Sequence, residues 1–381
     1  MHALLVRTAF ACATLLSLAR AAAPSIALTL PPEFYAVPGV PVSIYFDNIV
    51  LTEHPENFRF EVSSDIGTSE TRRWTATPRD SDTGAHRVHV TVKDAKGTVL
   101  GQAESKLRVA RRGAGADRSL RLLIVGDSLT NATHYPNEIA RLLDAPENPR
   151  WTMFGTHRPS NAKPRVAHEG YSGWTWSRFI RLVELPPSAN TPGQPLKRTM
   201  SPFLYVNSTG NPQLDIPRYI RENCDAQGPD VVTFLLGIND CFRAKPDDPA
   251  DIEKTISTTL ENAEVLLAAF RAAKPDVVLA VGLTTPPNAR EEGFVASYKG
   301  NFHRWGWKRI QHRLVQRMLA QFRGRERDGI HIVPTQLNLD PLDGYPPNNG
   351  VHPNPTGYNQ IGASFYSWLK FWLDQNSVRK R

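Results

Sequence analysis

The chain has 381 residues and a formal net charge of +8. Hydrophobic residues make up 40% and charged residues 22%, which is globular composition and excludes a disordered, collagen-like or toxin-sized chain. The basic balance suits nucleic acid, acidic glycans or membrane headgroups alike, and so assigns no partner by itself.

The first residues, MHALLVRTAFACATLLSLARAAAP, place Arg7 before an apolar run from about Thr8 to Leu18 and small residues around Ala19–Ala23. This pattern predicts a signal peptide over residues 1–23. Cys12 lacks the small-residue context of a lipoprotein cleavage site, so a periplasmic or secreted product is expected. Its loss would remove Arg7 and Arg20 and leave the chain basic. An exported protein rarely meets nucleic acid, and none is expected as a partner. No later stretch approaches the roughly 18 consecutive apolar residues of a membrane span, so no integral membrane segment is expected after processing.

Residues 24–110 alternate apolar and polar positions in short runs: Val42–Phe46, Phe58–Val62, Arg87–Val92 and Lys106–Val109. Turn signals such as Pro38-Gly39 and Lys96-Gly97 separate them. The spacing predicts a small antiparallel β-sandwich of immunoglobulin-like kind, each sheet buried on one face. Residues 111–119, rich in Arg and Gly, read as a linker.

From residue 120 to about 375 strand and helix patterns alternate. Leu122–Val125, Trp151–Phe154, Val231–Leu236, Val277–Gly282 and Ile330–Val333 are short apolar runs that suit strands buried on both faces. Helical stripes follow, one through Ile252, Ile256, Ala263, Leu266 and Phe270, another through Tyr358, Ile361, Phe365, Trp368 and Trp372. The alternation predicts a doubly wound, flavodoxin-like α/β domain on a parallel five-stranded sheet. Segments 177–228 and 284–306 exceed ordinary connections and are expected to cover a site. Residues 376–381 form a basic tail.

Cys224 and Cys241 flank a strand about 20 Å long, which predicts free thiols rather than a disulfide. No CxxC or HExxH motif occurs, and His303 and His312 do not share a helical face, so neither a metal site nor a cofactor is expected.

In an open α/β sheet ligands bind beyond the carboxyl ends of the strands. The first strand runs into Gly126-Asp127-Ser128-Leu129, which presents a hydroxyl at that edge. Alone, Ser128 reads equally as a helix N-cap or as a nucleophile awaiting a base. His168-Glu169-Gly170-Tyr171-Ser172-Gly173-Trp174-Thr175 follows the second strand, Gly237-Ile238-Asn239-Asp240 the third, and Gly350-Val351-His352-Pro353-Asn354 the fifth. The four blocks, in this order, resemble the SGNH hydrolases, or GDSL esterases, over about residues 120–375.

The resemblance implies an ester hydrolase with Ser128 as nucleophile and His352 as its general base. The backbone N–H groups of Ser128 and Gly173 and the side-chain amide of Asn239 would form the oxyanion hole. The chemistry needs such donors because attack on an ester carbonyl puts negative charge on its oxygen. Pro353 and Pro355 hold the turn after His352, and Pro355 suits the first position of the last helix. In one respect the chain departs from the family: the aspartate commonly found three residues before the histidine is Asn349. An amide can orient imidazole but cannot balance its charge, so either Asp340 or Asp343 substitutes or the site runs on a Ser-His pair.

Trp174, Trp176, Tyr298, Phe302, Trp305 and Trp307 flank these blocks, and their faces suit sugar rings or core packing. With an export signal and a sandwich module, similarity to carbohydrate-active members of the family implies deacetylation of a carbohydrate. A lipid or aryl esterase, an acyltransferase, and a non-catalytic glycan-binding protein are the alternatives.

Overall fold

The computed structural model describes residues 25–181 and 200–378. The expected signal peptide, part of segment 177–228 and the end of the basic tail lie outside the described residues.

Strands β1 (Glu33–Ala36), β2 (Val42–Tyr45), β3 (Arg59–Ser63), β4 (Thr68–Ser69), β5 (Arg73–Ala76), β6 (Gly84–Lys93) and β7 (Val99–Val109) form two small sheets, ordered β1-β7-β6-β3 and β2-β5-β4. Alternate residues point inward, and Phe34, Ile44, Trp74, Val88, Val90 and Leu107 build their core. The pairings are antiparallel except at one edge, where β1 runs parallel to β7. A hairpin forces antiparallel pairing, whereas β1 and β7 are separated by the whole module and are free to run side by side.

The segment expected as a linker is tied down. Ala110 and Ala114 are buried, and the fully buried Lys370 donates from Nζ to Ala114 O (2.8 Å) and Glu147 O (2.9 Å). An ammonium taken out of water needs such acceptors, so this stretch packs where composition suggested a tether.

The larger domain runs through β8 (Ser119–Gly126), α1 (Ser128–Asn131), α2 (His134–Leu143), β9 (Arg150–Phe154), β10 (Glu169–Gly170) and α3 (Trp176–Arg181). A hairpin of β11 (Leu204–Val206) and β12 (Pro212–Leu214) leads into α4 (Ile216–Asn223), β13 (Val231–Leu235), α5 (Ile238–Cys241) and α6 (Pro249–Ala273). Then come β14 (Val278–Gly282), α7 (Glu291–Tyr298), α8 (Arg304–Phe322), β15 (Ile330–Val333), α9 (Thr335–Asn338) and α10 (Pro355–Val378). The sheet is parallel throughout. β8 lies beside β13, with β14 and β15 beyond; on its other side β9 pairs with its first half and the two-residue β10 with Val125 and Gly126. The sheet is thus six-stranded by count, but five positions wide, in the flavodoxin-like order expected.

The helical stripes pack as their period requires. Ile252, Ile256, Ala263, Leu266 and Phe270 are buried, as are Tyr358, Ile361, Phe365 and Trp368. Trp372 is only half-buried, and Leu373 takes the inward position, because steps of three and four drift around a long helix. Cys224 and Cys241 are free thiols.

The sandwich docks on the α/β domain through polar contacts centred on residues 336–343. Asn48 Nδ2 donates to Gln336 O (2.7 Å) and Leu339 O (2.8 Å), and Ser43 N donates to Asn338 Oδ1 (2.8 Å). Lys308, 3% exposed, donates from Nζ to the backbone oxygen of Asp47 (2.8 Å) and pairs with its carboxylate. Burial lowers the lysine pKa, and Asp47 opposes the shift. Removing one partner of such a pair strands a charge in low dielectric. Asp47→Ala is therefore expected to lower unfolding free energy by about 3 kcal/mol in urea denaturation, with much of the loss restored by adding Lys308→Met. A single substitution with no greater cost than the double would show that the pair does not hold the seam.

Candidate active site

β8 ends in Gly126, and the chain turns at once into α1. An added Cβ at Gly126 would lie 1.9 Å from Thr130 Oγ1 and 2.9 Å from Leu235 O, so only glycine lets the helix turn this tightly over the sheet edge. Asp127, not Ser128, is the N-cap: its Oδ1 accepts from Leu129 N at 2.9 Å. Ser128 is the first helical residue, which leaves its hydroxyl free for other work.

That hydroxyl meets His352 Nε2 at 2.9 Å, across 224 positions of sequence. The other ring nitrogen, Nδ1, lies 3.1 Å from Asn349 Oδ1. The same oxygen accepts from Val351 N (3.1 Å) and His352 N (2.9 Å). Two backbone donors require an acceptor there, which fixes the amide with its oxygen toward the ring. Nδ1 must then carry the proton, and Nε2 presents its lone pair to Ser128. Burial lowers the His352 pKa from its ordinary value, which favours the neutral ring.

Neither aspartate proposed to assist the ring does so. Asp340, nearly buried, accepts from Leu342 N and Asp343 N and faces Arg72 of the sandwich at 3.4 Å; Asp343, largely exposed, pairs with Arg72 at 2.6 Å. Their loop turns toward the docking seam, where a cation draws both carboxylates.

Asn239, from α5, donates from Nδ2 to Trp174 O at 3.1 Å and approaches Asp127 Oδ2 at 3.4 Å. The second contact is at the outer limit of a hydrogen bond, so that N–H can turn to a better acceptor. Asp127 is thus both helix cap and rest for the Asn239 amide, a role that Gly-Asp-Ser alone did not reveal. Burial pushes the Asp127 carboxyl up to about 7, against the Leu129 N–H, and that of Asp240 up to about 8, against the Trp176 N–H.

Gly173 lies at the third position of a Tyr171–Trp174 turn closed by Trp174 N donating to Tyr171 O (3.2 Å). Its φ of +76° is the value that a type II turn demands there, and a Cβ on it would meet nothing within 4 Å. The turn is fixed from both sides. Asn131 Nδ2 donates to Ser172 Oγ (3.0 Å), and Tyr171 N donates to Gly126 O (3.1 Å). Beneath it the fully buried Glu169 accepts from Thr156 N (2.6 Å), Tyr219 Oη (2.7 Å) and Tyr171 Oη. This carboxylate, supplied with donors by three elements, was not marked by the sequence reading.

Segment 284–306 closes the other side. Ser297 Oγ donates to Asn348 O (3.2 Å) and accepts from Gly350 N (3.3 Å), and Phe294 packs where a Cβ on Gly350 would sit 3.0 Å away. Of the flanking aromatics, Trp174, Trp176 and Trp307 are core residues, while Tyr298, Phe302 and Trp305 remain partly exposed. Among the described residues no group of three or more His, Cys, Asp or Glu could hold a metal ion.

No curated protein matches this chain. Among solved structures, a carbohydrate esterase family 3 protein from Talaromyces cellulolyticus aligns over 67% of this chain and 99% of its own at 16% identity and a TM-score of 0.41. A family 3 carbohydrate esterase from Clostridium thermocellum aligns over 68% and 100% at 18% identity and 0.39. The lipase Lip_vut3 from a goat rumen metagenome aligns over 65% and 95% at 14% and 0.34. Residues 124–360 match the GDSL-like Lipase/Acylhydrolase family, and with more than half its length inside that match the chain belongs to this family of ester-bond hydrolases, of SGNH type.

Proposed function

We propose that this SGNH-type hydrolase is an exported serine esterase that deacylates a carbohydrate through an acyl-enzyme, with Ser128, His352 and Asn349 acting in line. The observation that carries the reading is the 2.9 Å approach of His352 Nε2 to Ser128 Oγ, with Nδ1 held on Asn349. Export rests on the residue 1–23 pattern, and the carbohydrate on the partly exposed aromatics beside the site.

In the first half-reaction Ser128 Oγ bonds to the acyl carbon as its proton passes to His352 Nε2. The carbonyl oxygen gains the negative charge and is met by the N–H groups of Ser128 and Gly173 and by the Asn239 amide, which leaves its long contact with Asp127. Collapse breaks the bond to the sugar oxygen, which takes the proton back from His352. Water then attacks the acyl-serine with the same base, and the acid departs. Asn349 orients the ring and fixes its tautomer, and the imidazolium is stabilised by the amide dipole alone.

Hydrolysis of p-nitrophenyl acetate tests this directly. Ser128→Ala is expected to lower kcat by about 10³-fold or more. Asn239→Ala should lower it by about 10²–10³-fold with KM little changed. Activity of Ser128→Ala equal to the parent would end the reading.

The pH profile tests the base. Burial disfavours the imidazolium, so the neutral base persists below the ordinary histidine pKa of 6.5, and the acid limb of kcat/KM should fall below that value. Asn349→Asp puts a negative charge beside Nδ1 and favours the protonated ring. Its acid limb should move up by about one pH unit or more, with kcat on the plateau raised rather than lowered. An unmoved limb would mean that His352 is not the titrating base.

A further inference from the structure

Asn288 sits in the connection from β14 to α7 and is fully buried. Its Nδ2 donates to Pro346 O (3.0 Å) and Asn349 O (2.9 Å), its Oδ1 accepts from Arg290 N (3.0 Å), and its backbone N donates to Gly350 O (2.9 Å). Two carbonyls at one end of the amide and an N–H at the other leave it a single orientation. Pro286 and Pro287 precede it with φ fixed by their rings, and Tyr345 Oη donates to Pro286 O, so Asn288 is presented on a stiff support. Three of its bonds go to the loop that carries His352.

A trans peptide holds its C=O and N–H on opposite sides of the chain. In the peptide joining Asn349 to Gly350, the oxygen accepts from Asn288 Nδ2 and the N–H donates to Ser297 Oγ (3.3 Å). In the next, Gly350 O accepts from Asn288 N, which turns the Val351 N–H the other way, onto Asn349 Oδ1 (3.1 Å). Both planes ahead of His352 are therefore pinned at both ends, and Asn288 supplies one end of each.

The neighbouring helix is built around this contact. Gly293 stands inside α7, where glycine is ordinarily disfavoured. A Cβ there would lie 2.7 Å from Asn288 Nδ2 and 2.9 Å from Asn349 O, against both ends of the bond between them. The helix gives up propensity to make room for it.

We infer that Asn288 is a positioning residue for the His352 base: by pinning both peptide planes it keeps the Val351 N–H on Asn349 Oδ1, and through that oxygen it fixes the ring tautomer that faces Ser128. The inference rests on the esterase reading of Ser128 and His352, and adds to it a residue that reaches the reaction only through the main chain.

The experiment uses the full chain and two readouts. With p-nitrophenyl acetate, Asn288→Ala is expected to lower kcat by about tenfold or more with KM changed by less than about twofold, because a base moved by a fraction of an ångström loses rate rather than binding. The loss should disappear when there is no base to position: added to His352→Ala, the same substitution should cost less than about twofold. Equal losses in the two backgrounds would make Asn288 a general support of the domain and overturn the inference. Gly293→Ala is the second variant, for the case that the chain does not fold without the amide. It keeps Asn288 and favours the helix, yet sets a methyl group against the Asn288–Asn349 bond, and it should lower kcat in the same way; a parental kcat would overturn the inference.

The second readout does not need turnover. NMR of isotope-labelled histidine, with the His352 signal assigned by its loss in His352→Ala, should show the neutral ring protonated at Nδ1 in the parent and a mixture of tautomers in both variants. An unchanged tautomer in the variants would overturn the positioning role. A parent that shows the Nδ1–H tautomer and yet does not hydrolyse p-nitrophenyl acetate would instead count against the esterase reading.

Discussion

Three N–H groups converge on one amide oxygen, and the chemistry of the site depends on it. Asn349 Oδ1 accepts from Val351 N, His352 N and His352 Nδ1. The two backbone donors shape the turn that carries His352, and they dictate which end of the amide faces the ring. The ring tautomer follows, and from the tautomer follows the lone pair aimed at Ser128. In many serine hydrolases a carboxylate does both tasks, orientation and charge balance. In the mechanism proposed for this chain Asn349 does only the first, since its amide holds the ring but carries no charge.

The turn around Asn349 is itself supported from outside the sheet. Residues 336–343 lie between β15 and the His352 block, and the sandwich grips them through Asn48, Ser43 and Arg72. On the opposite side Ser297 and Phe294 of α7 hold Asn348 and Gly350. A histidine beyond the last strand of an open sheet has no ladder to fix it, and a displacement of about 1 Å at such a base costs rate steeply. The buried Lys308–Asp47 pair and its neighbours give this loop a rigid bed, which is a physical reason for the small module to pack on the hydrolase domain rather than hang from a tether.

Much of this was legible in the sequence where a period or a motif carried it. Strands buried on both faces read as unbroken apolar runs, and the α6 and α10 stripes follow the helical repeat, so sheet order and core could be anticipated. Ser128, Gly173, Asn239 and His352 follow strands and therefore share an edge. What could not be read depends on contacts between distant residues that leave no local pattern. Arg72 draws Asp340 and Asp343 away from the ring, yet it lies in another domain. Glu169 needs Thr156, Tyr171 and Tyr219 around it before its burial makes sense, and Lys370 needs Ala114 and Glu147. The parallel placement of β1 escaped for the same reason, since alternation reports which face is buried and not which way the neighbour runs.

The missing carboxylate also fits the electrostatics of the opposite wall. Asp127 and Asp240 stand behind the groups proposed as oxyanion donors, and burial pushes their carboxyls up to about 7 and about 8. An ionised carboxylate there would oppose the negative charge that the proposed mechanism puts on the substrate oxygen, and burial disfavours that ionised form. A carboxylate at position 349 would favour the imidazolium but would place an ionised group across the site, where burial disfavours ionisation of Asp127 and Asp240. With Asn349 in that place the base is weaker and the oxyanion less opposed. In the proposed mechanism the two effects act on the same transition state with opposite sign, so an uncharged Asn349 matches a site whose buried acids are held toward their neutral form.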